Sequence, residues 1–245
     1  MTFTCEQRSA EWLALRVGKV TASRIADVMA TIKKGEAASR KNYRTEIVVE
    51  TLTGLPVEQY VSKEMEGGIA TERFALAAYE MHTDTMVESI DFAVHPQLER
   101  FGASPDGGLI GDDGLVEIKC PNTSTHLEYI LAGEVPAEYQ PQMLAQMACT
   151  GRAWCDFVSF DPRLPAHLQL FIRRFQIDEK RIKEMLIAVE QFLSEVDATL
   201  LKLGAAAPQV SLEQQLRASV EAVQIRKGPQ AVVSVMDQPS QAEAF

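Results

Sequence analysis

"SPDGGLIGDDGLVEIKCP", residues 104–121, sets two turn signals and an acidic loop ahead of a strand in which charged and apolar side chains alternate. Side chains two apart on a strand share a face, about 6.6–7 Å from one another along it. Glu117 and Lys119 therefore point one way, while Val116, Ile118 and Cys120 point into the core. The Asp112-Asp113-Gly114 turn folds the preceding residues back against this strand. A two-residue loop at 112–113 sets Gly111 opposite Gly114 and Asp106 opposite Lys119; a loop at 113–114 shifts the pairing by two and keeps the faces. Either register brings Asp106, Glu117 and Lys119 to one side of the sheet. The stretch is then an ordinary hairpin with a wet face, or a metal site with a lysine beside it.

Two carboxylates on one face attract a hard divalent ion, and Mg²⁺ takes one or two of them plus water and substrate phosphate. A lysine beside such an ion can orient or deprotonate a water, or stabilise charge on a phosphorane-like transition state. Taken singly, "PDG" is a turn and "EIK" an edge strand. Joined as Pro-Asp-(x)10-Glu-x-Lys on independently predicted strands, they form a strong signal.

The rest of the chain frames this signal. Its 245 residues allow one large domain or two small ones, and 46% apolar with 24% charged residues is a globular composition. The opening MTFTCEQRSAEW has no basic stretch followed by an apolar one, so it is not read as a secretory signal. No run approaches the roughly 18 apolar residues of a membrane span. Cys5, Cys120, Cys149 and Cys155 form no CxxC pair and are too few for a disulfide scaffold, which suits a reducing cytoplasm. The net charge is −10, yet residues 1–44 carry nine Lys/Arg against four acids. A basic segment on an acidic body binds a polyanion through one face, or is simply a solvated surface.

Ser9 caps a short helix over Ala10–Leu15 that Gly18 ends, and Thr21-Ala22-Ser23 starts a second with Ile25, Val28 and Met29 on a 3.6-residue period. After the polar loop Lys33–Ser39 a longer helix runs to about Thr53, where Gly54 stops it. "IATERFALAAYEMH" (69–82) is amphipathic, with Phe74, Ala77, Ala78 and Met81 inward. Met86–Val94, Arg100–Ala103, Gly108–Ile110 and Leu115–Cys120 read as strands, followed by helices near Ser124–Leu131 and Ala137–Thr150. Strands over Trp154–Phe160 and Leu168–Gln176 precede a long helix capped by Asp178, whose stripe runs through Ile182, Met185, Val189, Phe192, Val196 and Leu200 to Gly204. This order predicts an α/β (α+β mixed) fold, a central mixed β-sheet flanked by helices. Gly204–Pro208 reads as a linker, Ser211–Ile225 as a weak amphipathic helix, and the four histidines (His82, His95, His126, His167) as surface or capping residues.

Pro105-Asp106 … Glu117-Ile118-Lys119 is the pattern of the PD-(D/E)XK nucleases. The blocks "SAEWLALRVGKVTAS" (9–23), "EGGIATE" (66–72), "ASPDG" (103–107), "GLVEIKCP" (114–121) and "YQPQ" (139–142) stand in an order that resembles the lambda exonuclease and YqaJ-like viral recombinase family. The resemblance implies a restriction-endonuclease-like core over residues 1–204, with 205–245 as a C-terminal appendage, partner-docking or flexible. It implies that Asp106, Glu117 and the main-chain carbonyl of Ile118 bind metal, that Glu72 completes a second site, and that Lys119 serves the attacking water. Arg16, Ser23, Ser104 and Gln142 match positions that grip a 5′ phosphate, and all four side chains can donate to phosphate oxygens. Ser23 also stands at a predicted helix N-terminus, which favours an anion. Without the resemblance, Ser23 is an N-cap, Arg16 a surface arginine and Glu72 a solvent-facing helix acid. Met65 matches an apolar wedge at the duplex end, or is a buried loop methionine; Lys33 and Lys34 match basic contacts to a DNA strand, with Lys63 assisting.

The implied activity is a processive, Mg²⁺-dependent 5′→3′ exonuclease on linear double-stranded DNA, with two ions per site and Mn²⁺ able to substitute. It releases 5′-mononucleotides and leaves a 3′ single-stranded tail for a phage single-strand annealing protein. A ring-shaped homotrimer in the cytoplasm of a bacterial host, phage or prophage encoded and without membrane contact, completes the expectation. Such a ring needs basic groups only along its bore. The alternative is a structure-specific or restriction-like endonuclease on the same core, for which an end-binding pocket has no use. A non-catalytic binding module is disfavoured by the full set Glu72, Asp106, Glu117 and Lys119. "DGGLIGDDG" lacks the ligand order of a calcium loop. Cys149 and Cys155 have part of an iron–sulfur spacing, but Gln146 occupies the upstream cysteine position.

Overall fold

The computed structural model describes residues 2–3, 7–57 and 63–205, with 2–3 and 63–70 described by their backbone alone. In chain order the elements are β1 (Thr2–Phe3), α1 (Ala10–Arg16), β2 (Val20–Thr21), α2 (Ile25–Val28), α3 (Ala38–Thr53), α4 (Lys63–Thr83), β3 (Val87–Glu88), β4 (Phe92–Val94) and β5 (Phe101–Ala103). They continue with β6 (Gly107–Leu109), β7 (Gly114–Lys119), α5 (Thr123–Ala132), α6 (Gln140–Thr150), β8 (Trp154–Phe160), β9 (Leu170–Gln176) and α7 (Glu179–Lys202). Local chemistry sets many boundaries. Ser9, Asn122 and Asp178 accept the first free N–H groups of α1, α5 and α7, and Gly54, Gly133 and Gly151 end α3, α5 and α6 in the left-handed region.

The strands form two sheets, ordered β1-β4-β5-β2 and β3-β6-β7-β8-β9. The second is mixed: β6 is antiparallel to β7, β7 runs parallel to β8, and β9 returns antiparallel. The parallel pair requires a crossover, and α5 and α6 supply it. Both faces of β7 are therefore covered. Val116 and Ile118 pack with Ala75 and Tyr79 of α4, while Leu115 joins Phe157 and α6 residues such as Met143 and Met147 in the main core. The mixed sheet flanked by helices is the expected fold class. The wet face is absent: Glu117 is only 1% exposed.

Several details differ from the sequence reading. Gly107 pairs with Val116 and Gly108 with Leu115, so the chain reverses over 110–113 rather than through a two-residue turn. Gly111 takes the left-handed conformation (φ 78°), and Arg152 donates to the carbonyls of Leu109 (2.9 Å), Asp112 and Gly114 (3.4 Å), favouring the longer loop. The shift is even, so the faces are kept, and continuing the register sets Asp106 across from Glu117. Met86–Val94 splits at Ser89–Asp91 into β3 and β4, which belong to different sheets.

On α4 the inward positions are Ala75 and Tyr79, not Phe74 (55% exposed) and Met81 (86%). The Tyr79 hydroxyl is drawn in by Asp156 (2.9 Å), and Ala75 lets the helix approach the sheet. On the second predicted helix Ile25 and Val28 are buried and Met29 is exposed; a single 3-10 turn, Ala22–Arg24, precedes α2. His126, expected at the surface or as a cap, is wholly buried between Ser159 Oγ (2.6 Å) and the Leu168 carbonyl (2.9 Å). His95 is buried too, and its Nδ1 accepts from the N–H groups of Gln97 and Leu98, so it does cap a turn.

Candidate active site

β7 carries Glu117 and Lys119, and the residue before β6 supplies Asp106. The Ile118 N–H donates to Asp106 Oδ2 at 2.6 Å, tying the two strands where the carboxylates meet. Lys119 Nζ donates to Glu117 Oε1, as does Gln142 Nε2 (2.6 Å), and Gln146 Nε2 donates to Glu117 Oε2. Both glutamines come from α6, one turn apart on the face turned to the sheet. Tyr139, just before α6, places its ring 5.1 Å beneath the Lys119 ammonium and stacks on Phe157 at 5.4 Å.

Burial and the Glu117 charge hold the Asp106 carboxyl well above the usual carboxylate range, against the pull of Lys119 and the Ile118 N–H. Burial also disfavours charge on Lys119, but Glu117 and Asp106 outweigh it and raise its pKa. Two carboxylates thus face one ammonium, and one of them resists ionisation. Among the described residues no three Asp, Glu, His or Cys side chains close into a ligand cage. An incomplete set of hard oxygen donors, short of positive charge, fits a small divalent cation that keeps water or substrate oxygens in its remaining positions.

Glu72, on α4, is close enough to raise Asp106 further, but its own partner is Arg8, whose Nη2 lies 3.3 Å and 3.4 Å from its two oxygens. Gln7 donates to the Pro105 carbonyl at 3.0 Å, so this N-terminal segment lies beside the Asp106 loop.

The residues matched to a 5′-phosphate pocket divide into three groups. Arg16 stacks on Trp12 (4.1 Å), and the Trp12 indole donates to Ser104 Oγ at 2.8 Å, so Arg16 and Ser104 share one scaffold. Burial lowers the Arg16 pKa to about 10, partly offset by Tyr43 and Glu50. Gln142 lies on Glu117. Ser23 is exposed within the 3-10 turn, 3.4 Å from Thr21 Oγ1, and Thr21 rather than Ser23 is the cap residue. Lys33 and Lys34 are exposed in the loop before α3. Lys63 and Met65 fall in α4 where only the backbone is described, so their side chains lie outside the described residues. Sequence reasoning missed Trp12, Gln146 and Arg8 as site residues. The first two had a signal, each being one helical turn from a residue already singled out.

The model for the YqaJ-like viral recombinase domain matches residues 11–153. The chain belongs to the YqaJ-like viral recombinase family. The matched YqaJ-like span holds Arg16, Ser23, Glu72, Ser104, Asp106, Glu117, Lys119 and Gln142, and ends where β8 begins. Among solved structures the chain is similar to LHK-Exo, an alkaline exonuclease from Laribacter hongkongensis, at 46% identity and TM-score 0.74 over 80% of this chain and 96% of that one. A structure of LHK-Exo in complex with dAMP gives 47% identity, the same TM-score of 0.74 and the same coverage. A phage-related exonuclease from Haemophilus somnus 129PT is 15% identical at TM-score 0.57, over 74% of this chain and 96% of that one, and shares the fold. No curated protein sequence gives a significant match.

Proposed function

We propose that this member of the family is a Mg²⁺-dependent 5′→3′ exonuclease that degrades one strand of linear double-stranded DNA to 5′-mononucleotides. The observation that carries the reading is the meeting of Asp106, Glu117 and Lys119 across β6 and β7. Similarity to an alkaline exonuclease over most of both chains supports a nuclease acting from ends. Asp106, Glu117 and the Ile118 carbonyl hold the metal, and Glu72 serves a second ion once it is free of Arg8. Bound there, Mg²⁺ supplies a Lewis acid for the scissile phosphoryl group, and Mn²⁺ substitutes for it.

Lys119 is less enclosed than Glu117, with 27% against 1% of the side chain exposed. It can therefore meet an entering water or a phosphate oxygen while staying charged. Arg16, Ser104, Ser23 and Gln142 donate to the 5′ phosphate that each cleavage renews. Lys33, Lys34, Lys63 and Met65 contact DNA beyond it. Processive action as a ring-shaped homotrimer in a bacterial cytoplasm, feeding 3′ tails to a phage annealing protein, completes the proposal. No described helix is long and apolar enough to cross a membrane.

Duplexes labelled at one 5′ or one 3′ end test the polarity. Labelled mononucleotide should appear at once from the 5′ label, and late or never from the 3′ label. The reverse order would refute it.

A further inference from the structure

Gln146 is a wholly buried amide on a helical stretch whose neighbours Met143, Leu144, Ala145 and Met147 are also buried. A polar side chain in such surroundings destabilises unless its hydrogen bonds are made, and an isosteric Met would fill the same space. What the amide adds is its bond to Glu117. Gln142 takes Oε1 of that carboxylate and Gln146 takes Oε2, so separate amides fix the two oxygens and the plane of the group.

The far end of Gln146 has a longer contact. Its Oε1 faces Cys155 Sγ at 4.0 Å, on the strand that pairs with β7. Burial raises the Cys155 thiol well above its ordinary pKa, so it is a neutral S–H, shared between the Gln146 amide oxygen and the Asp156 carbonyl, each 4.0 Å away. A donor on that side suits the amide oxygen and leaves the amide nitrogen toward the carboxylate, where it donates to Glu117 Oε2.

We infer that Gln146 is a positioning residue that sets the orientation of Glu117 for metal binding. The inference rests on the reading of Glu117 as a metal ligand. Groups that orient a ligating carboxylate typically change metal affinity by about 10- to 100-fold when removed.

The test is a Mn²⁺ titration of the full chain without DNA, following the free-ion signal by electron paramagnetic resonance. Gln146→Met removes the donor at constant volume, and Gln146→Asn keeps the amide but falls a methylene short. Both are expected to raise the Mn²⁺ dissociation constant about 10- to 100-fold, with the near-ultraviolet circular dichroism of the parent. Glu117→Gln, run alongside, should lose binding. If Glu117→Gln loses Mn²⁺ while the Gln146 variants bind as the parent does, Gln146 is only a buried polar residue and the inference falls. If Glu117→Gln binds normally, the metal reading itself fails and takes the inference with it. Should Gln146→Met not fold, Gln146→Asn decides.

Discussion

With 1% of its surface exposed, Glu117 is a carboxylate withdrawn from water and held by an ammonium and two amides. Burying a carboxylate this way is unfavourable unless hydrogen-bond donors answer it, and Lys119, Gln142 and Gln146 do so here. Lys119 has the opposite freedom, being tethered to Glu117 while facing the open side of the cluster. Lys119→Ala should slow single-turnover cleavage by about 10²- to 10⁴-fold, with DNA affinity near that of the parent; an unchanged rate would remove Lys119 from the chemistry. Trp12 has a quieter role. Trp12→Phe keeps a ring under Arg16 but loses the N–H that Ser104 accepts. The KM for 5′-phosphorylated duplex should rise by about fivefold, and that for 5′-hydroxyl ends should not change. Equal effects on both ends would separate Trp12 from phosphate recognition.

At the scale of elements, the alternation in Val116–Lys119 was enough to assign faces, because an even register shift leaves them unchanged. The loop length was not legible. It depends on Arg152, far away in sequence, which reaches back to the carbonyls of the turn. The α4 face was misread for a similar reason: Asp156 and Arg174 form a polar site under Tyr79 that hydrophobic period alone does not register. Gly114 shows how closely β7 is packed, since an added Cβ would lie 2.2 Å from the Trp154 ring. Gly114→Ala should destabilise the fold by about 1–3 kcal/mol in denaturant titration.

A different kind of contact joins α3 to α7, where Arg40 and Arg44 converge on Glu195. Hydrogen bonding from Arg40, helped by Gln191 and Arg44, lowers the Glu195 pKa from 4.5 to about 2. Its contribution to stability is therefore full above pH 4.5 and is lost as the pH falls toward 2. Glu195→Gln should melt below the parent at neutral pH, and the gap should close over that acid range. A gap that persists unchanged at low pH would assign it to packing instead.

Across the whole molecule, the surplus of positive charge in residues 1–44 is smaller in effect than its count. Arg8, Arg24, Arg40 and Arg44 are all ion-paired to acids, several of them distant in sequence, leaving Lys33, Lys34 and Lys41 exposed, Lys19 buried and Arg16 on its tryptophan. Composition could not show this, whereas the motif blocks, being local, were readable and led to the family. Exonuclease action on linear duplex is tested by one digestion: a single duplex as linear 5′-phosphate, linear 5′-hydroxyl, nicked-circular and covalently closed forms, each with Mg²⁺ and with chelator. Metal-dependent loss of one strand from the 5′-phosphorylated linear form, with the closed circle intact, is the predicted result. Cutting of the closed circle would contradict it, and with it the assignment of Arg16, Ser23, Ser104 and Gln142 to a strand end.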